Sequence, residues 1–152
     1  MDGFQSVPRD YAWLMTITVL ADVAAMVGNP EQVKTLYELL RPYAALVAGA
    51  DHIRFGSVAR YLGLLAASLF RLDEAAQFLK DAAEADDRIG AQPWSAHAKA
   101  DLARVLLARD APGDRKAAGD LLREALATFE ELGMTVAAGK ITATHTTRPA
   151  TG

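Results

Sequence analysis

Apolar residues recur at helical spacing along most of this chain, and clusters of Gly, Pro and Asp cut the pattern into six stretches. The first is predicted to open near Asp10, a suitable N-cap, and to run to Val27, where Gly28-Asn29-Pro30 stops it. The second carries Val33, Leu36, Tyr37 and Leu40 at i, i+3, i+4 and i+7, and Pro42 ends or kinks it. Ala48 to Gly56 is expected to be a loop. Helices are then predicted over Ser57–Phe70, Asp73–Ile89, Pro93 to about Arg109, and about Arg115 to Leu132, with a turn at Asp110-Ala111-Pro112-Gly113-Asp114. Residues 1–9 form a short leader. Residues 10–133 form the helical domain, and the threonine-rich stretch 134–152 is expected to be a disordered tail.

Six helices joined by short turns make three antiparallel hairpins. Aligned on the first small or apolar residue of each second helix, they give Val33, Ala75 and Ala118, spaced 42 and 43 residues apart (75 − 33 and 118 − 75). A constant period of this size marks a stacked helical array. A Leu-small pair also recurs in each first helix, as Leu20-Ala21, Leu62-Gly63 and Leu102-Ala103. The second helices follow with Ala75, Leu79, Ala82 and with Ala118, Leu122, Ala125; the first hairpin has Val33, Tyr37, Leu40 instead. Small residues let paired helices approach, and large ones fill the groove between hairpins.

These residues resemble the tetratricopeptide repeat, although the period exceeds the usual length of about 34. The resemblance implies an all-α fold of three stacked antiparallel hairpins with a right-handed superhelical twist. Over roughly residues 10–134 the chain is also similar to the helical-repeat region of bacterial signalling ATPases, the LuxR-type ATPase regulators and cyclase-linked ATPases. The stretches that carry this are Leu36-Tyr37-Glu38-Leu39-Leu40-Arg41-Pro42-Tyr43, Gly56-Ser57-Val58-Ala59-Arg60-Tyr61-Leu62-Gly63 and Ala91-Gln92-Pro93-Trp94. No Gly-x-x-x-x-Gly-Lys-[Ser/Thr] phosphate loop occurs, so ATP binding does not carry over. The resemblance implies a non-catalytic, cytoplasmic interaction or regulatory scaffold with a protein or peptide partner. A small-molecule effector receptor is the alternative.

Composition narrows the chemistry. Sixteen Lys and Arg against 19 Asp and Glu leave a net charge of −3, which does not suit a nucleic-acid surface. There is no cysteine, so disulfides and thiolate chemistry are excluded. The apolar run Tyr11–Val27 holds Asp22 and is shorter than the roughly 20 residues of a membrane span, so a soluble chain is expected.

No residue set reads as a catalytic site, a metal site or a cofactor site. His97 and Asp101, at i and i+4, lack a third ligand and read as helix pairing. Asp51-His52 reads as a solvated connector, and Asp86-Asp87-Arg88 as a charged outer face. Trp13, Tyr61 and Trp94 read as packing residues.

In the tetratricopeptide family the first helices line a concave groove. Carried over, the inward positions are Thr18 and Asp22; Ser57, Arg60, Leu64 and Ser68; and His97, Ala100 and Arg104. Arg60 and Arg104 beside His97 could clamp an acidic segment, or pair with Asp22 and Asp101. The sixth helix is amphipathic and reads as an end cap. The first helix is apolar nearly all round, so the array reads as unfinished there: the end of a longer array, or half of a homodimer formed through Tyr11, Leu14, Met15 and Thr18.

Overall fold

The computed structural model describes residues 4, 7–10, 12–27, 29–50 and 53–146. The chain is predominantly helical. Helices α1 (Trp13–Val27) and α2 (Pro30–Leu40) lead through a 3-10 turn at Arg41–Tyr43 into strands β1 (Val47–Ala50) and β2 (Ile53–Ser57). Helices α3 (Val58–Ser68), α4 (Leu72–Arg88), α5 (Gln92–Arg109), α6 (Asp114–Glu131) and α7 (Thr135–Thr146) follow. From α3 onward each helix packs on the next, and α1 and α2 both pack on α3.

Local chemistry accounts for the helix ends. The Asn29 side chain accepts from the Gln32 backbone N–H at 3.2 Å, and Pro30 opens α2, where its missing N–H costs nothing. Pro42 has no N–H to continue the α ladder, so the chain tightens into the 3-10 turn. Helix α3 closes at Ser68, with Phe70 in the left-handed region (φ 60°) and the Arg71 N–H donating to the Ala66 carbonyl at 3.0 Å. Helix α6 closes through Gly133 (φ 67°), and the Met134 N–H reaches the Phe129 carbonyl at 2.7 Å.

Two segments depart from expectation. The stretch expected to be a loop between the first two hairpins contains an antiparallel pair of strands, with Gly49 opposite Arg54 and an irregularity between Val47 and Gly49. Strand β1 rests on α1, and β2 rests on α4 and α5. The stretch expected to be a tail holds α7, which packs on α6 and buries Ile141. Seven helices are therefore described instead of six.

The repeated positions fall in the interior, apart from Leu20, which is half-buried. Ala21, Leu62, Gly63, Leu102 and Ala103 are buried, as are Ala75, Leu79 and Ala82, Ala118, Leu122 and Ala125, and Val33, Tyr37 and Leu40. The closest approach is at Gly63. A Cβ there would lie 2.5 Å from Leu79 Cγ and 3.2 Å from the Ala75 carbonyl oxygen. The α3–α4 crossing thus requires a residue without a side chain. Gly63→Ala gains about 1 kcal/mol of helix propensity but forces Leu79 off its rotamer, a cost of about 1–3 kcal/mol. A net fall in melting temperature is expected in thermal denaturation, with Gly63→Val falling further. A rise for both would show that α3 and α4 are not held at this distance.

Candidate interaction face

The centre of the polar chemistry is a bridge between α3 and α5. Arg60 on α3 and Asp101 on α5 are both buried. The Arg60 guanidinium donates to Asp101 Oδ2 from Nε at 2.8 Å and from Nη2 at 2.7 Å. The other carboxylate oxygen, Oδ1, takes the Arg104 guanidinium, which is 64% exposed. One aspartate therefore ties a buried arginine to an outward-facing one. Burial works against the Arg60 cation, but the Asp101 carboxylate above all, with Tyr61 and Asp22, outweighs it and raises its pKa above the ordinary value.

Around this bridge lies a second tier. The Arg60 guanidinium carbon stands 5.5 Å from the Tyr61 ring centre. The Tyr61 hydroxyl donates to the Phe55 carbonyl at 2.6 Å, which fastens β2 to α3. Burial pushes the Tyr61 phenol up to about 12, and Arg60 opposes the rise. Asp86, at the end of α4, is fully buried, and its Oδ2 accepts from the Ser57 backbone N–H at 3.3 Å. The Ser57 N–H belongs to the start of α3, so Asp86 serves as a cap supplied from a neighbouring helix. Asp86 Oδ1 and the buried Ser95 Oγ have no hydrogen-bond partner among the described residues.

His97 stands in an aromatic row that crosses from β2 to α6. Phe55 and Trp94 lie 6.1 Å apart, Trp94 and His97 5.9 Å, and His97 and Phe129 4.9 Å between ring centres. Burial lowers the His97 pKa, and the Arg60 charge lowers it further. Gly56 (φ +79°) turns the backbone against Trp94, and a Cβ there would sit 3.0 Å from Trp94 Cβ and Cγ.

The residues expected to line a groove are thus differently placed. Arg60 and Ser57 are buried, His97 is half-buried between rings, and Asp22 and Leu64 are half-buried. Arg104 alone of that set is exposed. Arg60 and Arg104 both pair with Asp101; Asp22 acts on Arg60, Tyr61 and His97 through its charge. Of the residues expected on the self-association face, Thr18 is instead buried, its hydroxyl donating to the Met15 carbonyl at 2.7 Å. Leu14 packs on the core and Met15 is half-buried, while Tyr11 lies outside the described residues, as do Asp51 and His52. The expectation that Asp86 forms part of a charged outer face is corrected too, since only its neighbours Asp87 and Arg88 are exposed. Its burial was hidden because Asp-Asp-Arg at a helix end looks solvated.

Two further ionic clamps hold neighbouring helices. Lys99 on α5 reaches Asp87 on α4 and Glu124 on α6, both at 3.3 Å. Arg109 joins Asp73 at 2.9 Å and Asp114 at 2.8 Å. Among the described residues no cluster of His, Asp and Glu could hold a metal ion, and no helix is long and apolar enough to cross a membrane.

No protein-family model matches the chain, and no curated protein matches it. Among solved structures it is similar to the crystal structure of BtubC (BKLC) from P. vanneervenii, with a TM-score of 0.63 and 24% sequence identity. The match covers 86% of this chain and 52% of that one, so the chain spans about half the length of BtubC. The likeness concerns the fold alone.

The bridge and the cap behave differently on mutation. Asp101→Ala leaves the Arg60 cation buried without its partner, a loss of about 3–5 kcal/mol in urea denaturation; Asp101→Asn, which keeps an acceptor, is expected to lose less. Equal losses would mean that charge does not hold the bridge. For Asp86 the sign is opposite. Burial raises its pKa, and the Ser57 N–H and Arg60 pull it back only in part. The folded state therefore binds the proton more tightly than the unfolded chain. That contribution is complete below the ordinary value of about 3.9 and is lost as pH rises through the folded-state value. Asp86→Asn is expected to raise the melting temperature near neutral pH and to change it little at about pH 3. The same shift at both would rule out a charge effect.

Proposed function

We propose that this chain is a non-catalytic protein-interaction or regulatory scaffold. In this reading its hairpins α1–α2, α3–α4 and α5–α6 stack as tetratricopeptide-like units with a right-handed twist, and α7 stands where a fourth unit would begin. The module is then akin to the helical-repeat arm of a bacterial signalling ATPase or transcriptional regulator. The burial of small and large residues at matching places in the three hairpins supports the repeat reading.

The observation that carries the interaction reading is the Arg60–Asp101–Arg104 bridge. Arg60 on α3 is committed to Asp101 inside the stack, whereas Arg104, on α5 with Asp101, presents most of its side chain to solvent. A guanidinium held at its base and open at its edge suits a carboxylate of an extended peptide. Recognition then falls to Arg104, and Arg60 positions Asp101 beneath it.

A panel of peptides differing in acidic content, read by fluorescence polarisation, tests this. Acidic peptides are expected to bind, and Arg104→Ala to weaken them about tenfold, the loss of one charge-assisted contact of roughly 1–2 kcal/mol, with the helical circular dichroism preserved. Binding that ignores both peptide charge and Arg104 would sink the reading. A metabolite that raises the melting temperature where no peptide binds would favour an effector receptor.

A further inference from the structure

Among the described residues, helix α1 is covered on one side only. Ile17, Ala21 and Ala24 point into the core and are buried. On the opposite side Val19 (44% exposed), Val23 (52%), Met26 (82%) and Val27 (74%) face water. Their spacing of i, i+4, i+7 and i+8 places them within an arc of about 100°, one continuous ridge. Phe70 is 88% exposed at the same end of the molecule, because the Ser68 hydroxyl donates to the Ala25 carbonyl at 3.2 Å and draws the α3–α4 turn to the end of α1. A large aromatic residue held in the left-handed region and turned to solvent has no role in the core.

From this we infer that the chain forms a homodimer through the exposed ridge of α1, the two copies crossing antiparallel about a two-fold axis near Val23. Three properties select a second copy as the occupant. The ridge carries no charge, so it offers nothing for a charged partner to complement, whereas an isologous interface needs only self-complementarity. Its i, i+4 valines form a ridge of the kind that interdigitates with an equal ridge at close helix separation. With Phe70 it presents on the order of 500 Å2 of apolar surface, near the upper end for a monomer. Two copies would bury about 1,000 Å2, the threshold for a biological interface and the size of a weak, reversible one.

This face differs from the Arg104 face, so the dimer stands or falls separately from peptide binding. Sedimentation velocity of the full chain across a wide concentration range is expected to show twice the 16.3 kDa chain mass. Val23→Glu and Met26→Glu are each expected to sediment as monomers with unchanged helical circular dichroism. The chain has no cysteine, so Val23→Cys carries a unique thiol. It should oxidise to a covalent dimer faster than Lys116→Cys, whose side chain is exposed on α6. A wild-type chain that stays monomeric throughout overturns the inference and leaves the ridge to another protein. A dimer that survives both glutamates, or equal rates of oxidation, overturns it as well.

Discussion

The distance between α3 and α4 is the constraint from which the rest of the stack follows. Gly63 lets the Leu79 side chain and the Ala75 backbone come against the α3 backbone itself. At that separation Leu79 and Ala82 are completely enclosed. Between α5 and α6, Ala103, Ala118, Leu122 and Ala125 are likewise buried. Burial of this kind is non-directional and sums over many contacts. It sets how close helices lie but is a poor guide to which lateral neighbour each one takes.

Polar contacts supply that selection. Arg60 to Asp101, Asp86 to the Ser57 N–H, Lys99 to Asp87 and Glu124, and Arg109 to Asp73 and Asp114 each link one element to another. The exposed pairs add little stability. The buried pair is different: removing either partner strands a charge, so α3 and α5 are held in one register. The same bridge leaves Arg104 outward, the edge on which the proposed binding of a carboxylate rests. The His97 row does the corresponding work with rings, joining β2, α5 and α6, and its depressed pKa follows from that enclosure.

Much of the helical plan was legible. The Leu-small pairs, the stripe Val33-Leu36-Tyr37-Leu40 and the punctuation at Asn29-Pro30, Gly90 and Gly133 place elements and interior positions correctly, because period and capping are local. Strands β1 and β2 were not legible: VAGA lacks alternation, Ile53-Arg54-Phe55 alternates over too few residues to signal a strand, and the pair holds together by pairing and by resting on α1, α4 and α5. Helix α7 was hidden by threonines and Gly139, whose weak propensity is overridden once Ile141 packs against the stack. Thr18 reads as a surface residue until its hydroxyl is seen to bond the Met15 carbonyl.

By itself, then, the amino-acid sequence determined the class of fold, the boundaries of α1 to α6 to within a few residues and the small-residue positions where helices meet. It also named Arg60, Asp101 and Arg104 as neighbours in chemistry. Tertiary structure decided how they pair, that Arg60 is enclosed while Arg104 is open, and which side of α1 remains uncovered. The reason is physical. Periodicity reports that a residue prefers the interior, but burial and the pairing of charges 41 residues apart depend on which neighbour arrives, and only packing settles that.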